Sequence, residues 1–309
     1  MKDVKNANQY TIQWFPGHMA KTLKMMETEI RNVDACLILL DARIPLSSLN
    51  PEIERIVARK PRLYALNKAD LADPAVTARW IDYFHAADAG CVAINAKQKG
   101  GAAAVKAAID KELSALMAKR ERKGMVGAKL ALMLCGIPNV GKSTFINTFA
   151  GGARAKTADR PGVTVGKQWV AAGKYDLLDM PGVLWKKFDD KHTASNLAFI
   201  GSIKDNILDI EELSMNLLDQ VRTHYPEKVA ERFKLSAEEL ALPPYELLEC
   251  IGRKRGMLIS GGDVNMERAS VMILDEFRAS KWGRVSLEVP PTHDDLDMWE
   301  DEEDEEDEE

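Results

Sequence analysis

The chain of 309 residues has no apolar run of 18 or more. A helix needs that length to cross a bilayer, so neither a transmembrane helix nor a membrane partner is expected. The opening MKDVKNANQYTIQ has no apolar signal core and no arginine, which excludes the common leaders and points to the cytoplasm. Cysteine is scarce: Cys36, Cys91, Cys135 and Cys250 are scattered, with no CxxC pair. That excludes a disulfide framework and a zinc knuckle, and leaves free thiols in a reducing compartment. Basic residues are missing from the end of the chain, where residues 294–309 carry 13 acidic side chains and no Lys or Arg.

A run of such charge cannot bury apolar surface, so residues 291–309 are expected to form a disordered acidic tail. One role for it is to keep the chain in solution. The other is to lie on a basic surface as a mimic of nucleic acid. Residues 1–203 hold 30 basic and 19 acidic side chains, whereas residues 204–293 hold 12 and 16. A basic first half suggests a polyanionic partner such as RNA; an ordinary solvated surface is the alternative reading.

What is present is concentrated in residues 130–149, LALMLCGIPNVGKSTFINTF. An apolar strand-like run ends at Gly136, a helical pattern opens at Lys142, and the residues between fit GxxxxGK[ST]. The members of this loop are Pro138, Asn139, Val140, Gly141, Lys142, Ser143 and Thr144. Glycines let backbone N–H groups turn inward around a phosphate, and the helix start adds partial positive charge. Lys142 can reach the β- and γ-phosphates, and the Ser143 hydroxyl can ligate Mg2+. The base is named by Asn67, Lys68, Ala69 and Asp70, an NKxD that follows a strand-like run. The Asp70 carboxylate can accept from guanine N1–H and the 2-amino group, whereas adenine would face it with a lone pair. GTP, rather than ATP, is the expected substrate.

The order of these motifs is unusual, since NKAD precedes the P-loop. With Trp14-Phe15-Pro16-Gly17-His18-Met19, Asp41-Ala42-Arg43-Ile44-Pro45, Arg160-Pro161-Gly162-Val163-Thr164 and Asp179-Met180-Pro181-Gly182, the chain resembles the circularly permuted GTPases of the ribosome biogenesis GTPase A (YlqF) type, from about residue 10 to 290. The resemblance implies an α/β fold: a circularly permuted P-loop, Ras-like GTPase domain followed by a small all-α domain. It makes Thr164 and Asp179 partners of Mg2+, and Gly182 the sensor of the γ-phosphate. It places Asn95 and Ala96 in a loop whose backbone touches guanine. The usual glutamine after the switch glycine is replaced by Val183, which cannot hold a water, and the resemblance gives that work to His18. The other reading of His18 is a histidine satisfied locally at a helix start. By the same likeness Asn139 helps to hold K+ beside the phosphates, or is a plain polar loop residue. The implied role is a GTP-hydrolysing switch in assembly of the large (50S) subunit, binding rRNA or pre-ribosomal particles as a monomer. A GTPase in another RNA–protein or signalling process is the alternative; a metabolic phosphotransferase is disfavoured by NKAD and by the lack of a second substrate site.

Four segments are expected: 1–17, an amino-terminal segment; 18–200, the GTPase domain; 201–290, a helical domain; and the tail, 291–309. Residues 119–128 read as the joint of the permutation. Helices are expected over 206–223, 227–234, 243–253 and 265–280, with a short strand over 285–289. Arg253, Lys254, Arg255, Arg268, Arg278, Lys281 and Arg284 could meet RNA phosphate. Asp41 and Arg43 sit where α/β sheets place ligands, or form a local ion pair.

Overall fold

The two continuous apolar runs become the two central strands of the sheet, as burial on both faces requires. They are β1 (Ala35–Asp41) and, fourth in chain order, β4 (Leu130–Gly136), paired in parallel with Leu39 opposite Gly136. In this computed structural model the described residues are 15–98, 100–125, 127–151, 167–188 and 191–291. Trp14, Thr164, most of the segment around it, and the acidic tail from residue 292 lie outside them. β2 (Arg62–Asn67) and β3 (Gly90–Ala93) extend the sheet beyond β1; β5 (Gln168–Ala172) and β6 (Tyr175–Asp179) extend it beyond β4. The order is β3-β2-β1-β4-β6-β5, all parallel except the β5–β6 hairpin. From β1 the strands run outward in chain order to β2 and β3, whereas from β4 the sheet passes to β6 and then back to β5 at the edge. The crevice at the carboxyl ends of β1 and β4 is the topological switch point where such sheets bind ligands.

Register brings the motifs into one row. Asp41 pairs with Asn67, and Leu134 with Asp179, so the NKAD, DARIP, P-loop and DMPG segments all leave the sheet along one edge. The covering helices start where their sequences say they should. α1 (Gly17–Glu29) buries Met19 and Met26, and α2 (Pro51–Val57) is capped by the Asn50 side chain. α3 (Pro74–Ala86) is capped by Asp73 with proline in its first turn. Residues 103–122 form two helices, α4 (Ala103–Glu112) and α5 (Ser114–Arg122), parted at Leu113. At the joint, Asp34 accepts from Arg120 (2.6 Å) and from the Ala131 N–H (2.7 Å), pinning the end of α5 beside the start of β4. α6 (Lys142–Phe149) follows the P-loop.

From residue 191 to 278 the α-helices are α7 (Lys191–Phe199), α8 (Ile210–His224), α9 (Pro226–Phe233), α10 (Ala237–Leu240), α11 (Pro244–Lys254) and α12 (Met266–Arg278), with a lone antiparallel bridge between Leu258 and Val264 in the turn before α12. Leu217, Leu218, Leu247, Ile251, Ile273 and Leu274 make its core. One expectation needs correction. Residues 285–289 form no strand; the segment lies extended against the sheet region, with Val285 N–H donating to Leu71 O (3.0 Å) and Leu287 N–H to Arg43 O (2.8 Å). Its Glu288 carboxylate is buried beneath α7, where it accepts from Ser47 and from Asn196 at 3.0 Å. Much of the expected basic cluster, though exposed, has partners on the protein's own surface. Arg253 pairs with Glu249, Lys254 with Glu239, Arg255 faces Glu276 and donates to Arg232 O, and Arg278 pairs with Asp205.

Candidate nucleotide site

The loops along the sheet edge, with the start of α1, enclose a cleft of about 880 Å³. Its walls include His18, Lys68, Pro138, Asn139, Gly141, Lys142, Ser143, Thr144, Asp179 and Gly182. A pocket of about 160 Å³ adjoins it, lined by Asn67, Asp70, Asn95, Ala96 and again Lys68, Gly141 and Thr144. The larger space can take phosphates and the smaller a planar base. Lys97, Lys204 and Arg278 also line these spaces. No local pattern singles them out, because tertiary packing brings them there.

The P-loop backbone needs its glycines. Gly141 has φ +99°, and a Cβ there would meet Asn67 Nδ2 at 2.5 Å. The helix behind it, α6, has no side-chain cap and no acidic residue in its first turn. Its first N–H groups are thus left for an anion. Gly182 comes so close to the same loop that a Cβ would lie 2.8 Å from Pro138 Cα and 2.9 Å from Lys142 Nζ. Any movement of the DMPG segment is therefore felt at the P-loop, and the reverse.

Lys142 folds back onto the loop, donating to the carbonyls of Gly136 (3.0 Å) and Ile137 (2.9 Å). Burial pulls its pKa down to about 8, against the pull of Asp179. Asp179 is itself pushed up by burial and drawn back by Lys142. The exposed Ser143 hydroxyl and the Asp179 carboxylate share the cleft. Among the described residues no group of three His, Cys, Asp or Glu side chains is gathered for a metal. The donor set fits Mg2+, which takes one or two protein ligands and fills its shell with phosphate oxygens and water.

Asn67 does not face a ligand directly. It is buried, donates to Val140 O (2.8 Å) and accepts from the Ala96 N–H (3.0 Å), so it joins the P-loop to the loop after β3. Val140 is buried and contributes its carbonyl; Ala69 contributes its N–H to Ile94 O. Lys68, at φ +60°, bridges Asn139 O (2.7 Å) and Asp41 (3.0 Å). Asp41 is the buried ion-pair partner of Arg43, held through two side-chain bonds. Burial alone would raise its pKa, but Arg43 and Lys68 outweigh burial and hold it far below the usual carboxylate range. The ion-pair reading of Asp41 and Arg43 is the one realised. Asn139 donates to Gly201 O, and Ser202 to Pro138 O (2.8 Å). The helical region thus touches the P-loop itself. His18 is exposed on the cleft wall, and Val183 is buried, its carbonyl held by Asn50.

A family model for the 50S ribosome-binding GTPases matches residues 131–241. Ribosome biogenesis GTPase A of Bacillus cereus is 42% identical over 280 residues, covering 90% of this chain and 94% of that protein. The chain belongs to the ribosome biogenesis GTPase A family. The Thermotoga maritima member is 28% identical over 283 residues, 90% of this chain. The solved GDP-bound YlqF structure of that species superposes with a TM-score of 0.62 at 25% identity, covering 86% of this chain and 99% of that one. The fold is that of these GTPases, the activity is GTP hydrolysis, and the permuted motif order is a family trait. As a member, the chain places the NKAD motif, after β2, before the P-loop, after β4, and still sets both along one edge of one sheet.

Proposed function

We propose that this GTPase is a molecular switch in maturation of the large ribosomal subunit, engaging pre-ribosomal particles or their rRNA in the GTP state. The 42% identity over nine-tenths of the chain to a protein named for ribosome biogenesis carries the reading. In it, Asp70 reads guanine while Asn67, Ala69, Asn95 and Ala96 shape the base pocket. The P-loop residues 138–144 cradle the phosphates, with Lys142 released from the Gly136 and Ile137 carbonyls to meet the β- and γ-oxygens. Ser143, Asp179 and Thr164 would hold Mg2+, which when bound neutralises charge on the transferred phosphoryl group. Gly182 N–H senses the γ-phosphate. His18, exposed on the same wall, orients or deprotonates the attacking water in place of the missing glutamine. Asn139 keeps Oδ1 free to hold K+ while Nδ2 binds Gly201 O; turnover in K+ against Na+ tests that part.

The switch would pass to the helical region through short paths: DMPG through residues 183–188 into α7, and Pro138 and Asn139 to residues 201 and 202. The surface offered to rRNA is more local than the count of arginines suggests, because most of those in 253–284 are paired. Sedimentation of the full chain with large-subunit precursors tests the proposal. Retention with a non-hydrolysable GTP analogue and release with GDP is expected; equal sedimentation in both states would refute it.

A further inference from the structure

The loop that carries Asp70 is held from outside the sheet region. Arg284, beyond α12, donates through Nη2 to Ala69 O (2.7 Å) and through Nε to Ala72 O (2.8 Å), bracketing Asp70 on both sides. Val285 N–H donates to Leu71 O, and the Ser286 hydroxyl accepts from Asp73 N–H at 3.1 Å. Backbone groups of residues 69, 71, 72 and 73 are thus tied to residues 284–286. The same segment continues to Arg43 O and to the half-buried Glu288, so it crosses the loops after both β2 and β1. Arg278, the last residue of α12, forms part of the wall of the base pocket. Its guanidinium is fixed there by Asp205 (2.7 Å twice) and by the carbonyls of Phe199 and Ala198 (2.9 Å each).

A carboxylate that must meet two adjacent donors on a guanine edge tolerates little displacement, since each hydrogen bond weakens steeply with angle. Asp70 is exposed on a loop, and its own side chain has no packing to fix it. What fixes it is the backbone beneath, and Arg284 holds that backbone. From this geometry we infer that the carboxyl-terminal strap is part of the guanine pocket: Arg284 is a positioning residue for Asp70, and Arg278 closes the pocket wall. Nucleotide binding is therefore coupled to the helical region at the base as well as at the γ-phosphate. The coupling is reciprocal: a partner that displaces α12 and the strap loosens guanine, and loss of guanine loosens their seat on the sheet region. A nucleotide-release route follows that needs no movement of the P-loop. The inference rests on the assignment of Asp70 to the guanine edge.

The test is equilibrium binding of GDP and of inosine diphosphate, whose base lacks the 2-amino group, to the full chain. Arg284→Ala should weaken GDP about tenfold through loss of two guanidinium bonds, and should narrow the preference for GDP over inosine diphosphate. Arg284→Lys, which restores one donor, should recover part of both. Arg222→Ala is the control for general damage, because Arg222 makes the same kind of bonds, to Leu240 O and Leu242 O, wholly within the helical region. It should leave affinity and preference unchanged. An unaltered preference in both Arg284 variants, or an equal loss in Arg222→Ala, would overturn the inference. Asp70→Asn separates it from its premise. If that variant moves preference toward xanthine while the Arg284 variants bind normally, the base assignment stands and the strap has no part in it. If it moves nothing, both fall.

Discussion

Asn67→Ala separates two roles that a motif alone cannot tell apart. Asn67 is 2% exposed, and its amide is used at both ends, on Val140 O and on the Ala96 N–H. The truncation removes two net-favourable bonds and leaves a buried acceptor in the P-loop and a buried donor after β3 without partners. At about 1 kcal/mol for each bond and somewhat more for groups stranded away from water, the nucleotide-free protein should lose about 2–4 kcal/mol. With a urea dependence of about 3 kcal/mol per molar for a chain of this size, the unfolding midpoint should fall by about 1 M. The assay is urea unfolding without nucleotide, followed by far-ultraviolet circular dichroism. Asp70→Asn, at an exposed side chain, is the comparison and should stay within about 0.5 kcal/mol of wild type. A wild-type midpoint for nucleotide-free Asn67→Ala, with GDP binding lost, would refute the reasoning and make Asn67 a direct ligand of the base.

Lys142→Ala should abolish triphosphate binding in a fluorescent-analogue titration, because it removes the charge-assisted contact to the β/γ-phosphates; near-normal turnover would reject the P-loop assignment. His18→Ala should leave GTP affinity near wild type and lower hydrolysis most when ribosomal particles stimulate it, by about 10²-fold or more for a general base. An unchanged stimulated rate in a phosphate-release assay would remove His18 from the mechanism. Glu288 is raised by burial from an ordinary 4.5 to about 7, against the donors from Ser47, Asn196 and Leu46. The folded state therefore holds a proton that the unfolded chain releases across that window, so this group costs stability as pH rises from 4.5 to 7. Glu288→Gln should lack that slope, changing the stability difference from wild type by about 3 kcal/mol between pH 4.5 and 8; parallel pH profiles would show that Glu288 does not titrate there.

The loops that line the candidate site were legible because phosphate and base recognition would demand fixed residue types at fixed spacing: GIPNVGKS turns on Gly136 and Gly141, and NKAD on Asp70. The central strands were legible because burial on both faces leaves continuous apolar runs. A boundary slipped at α8, expected from 206 but opened at Ile210 by the Asp209 cap. The strap could not be read at all. Val285 to Val289 alternates like a strand, but Arg284 and Glu288 find partners more than 200 residues away, at Ala69 and Ser47, and nothing local announces that. The basic cluster is different: Glu249 stands four residues before Arg253 on the same helix, a pairing open to a reading of the sequence, whereas Arg255 faces Glu276 on another helix.

The adjacency of β1 and β4 has a consequence for the nascent chain. β1 is apolar from Ala35 to Leu40 and pairs on both sides. Its partner β2 emerges soon after it, but the other partner, ending at Gly136, is made almost a hundred residues later. At about 5–20 residues per second, the growing polypeptide carries a bare, hydrophobic strand edge for about 5–20 s. An unpaired edge of that kind invites pairing with other chains. An unpermuted order would make β4 first and shorten the wait on that side. The price of the rearranged gene order is thus a window of vulnerability during synthesis, one that a chaperone at the exit tunnel is well placed to cover.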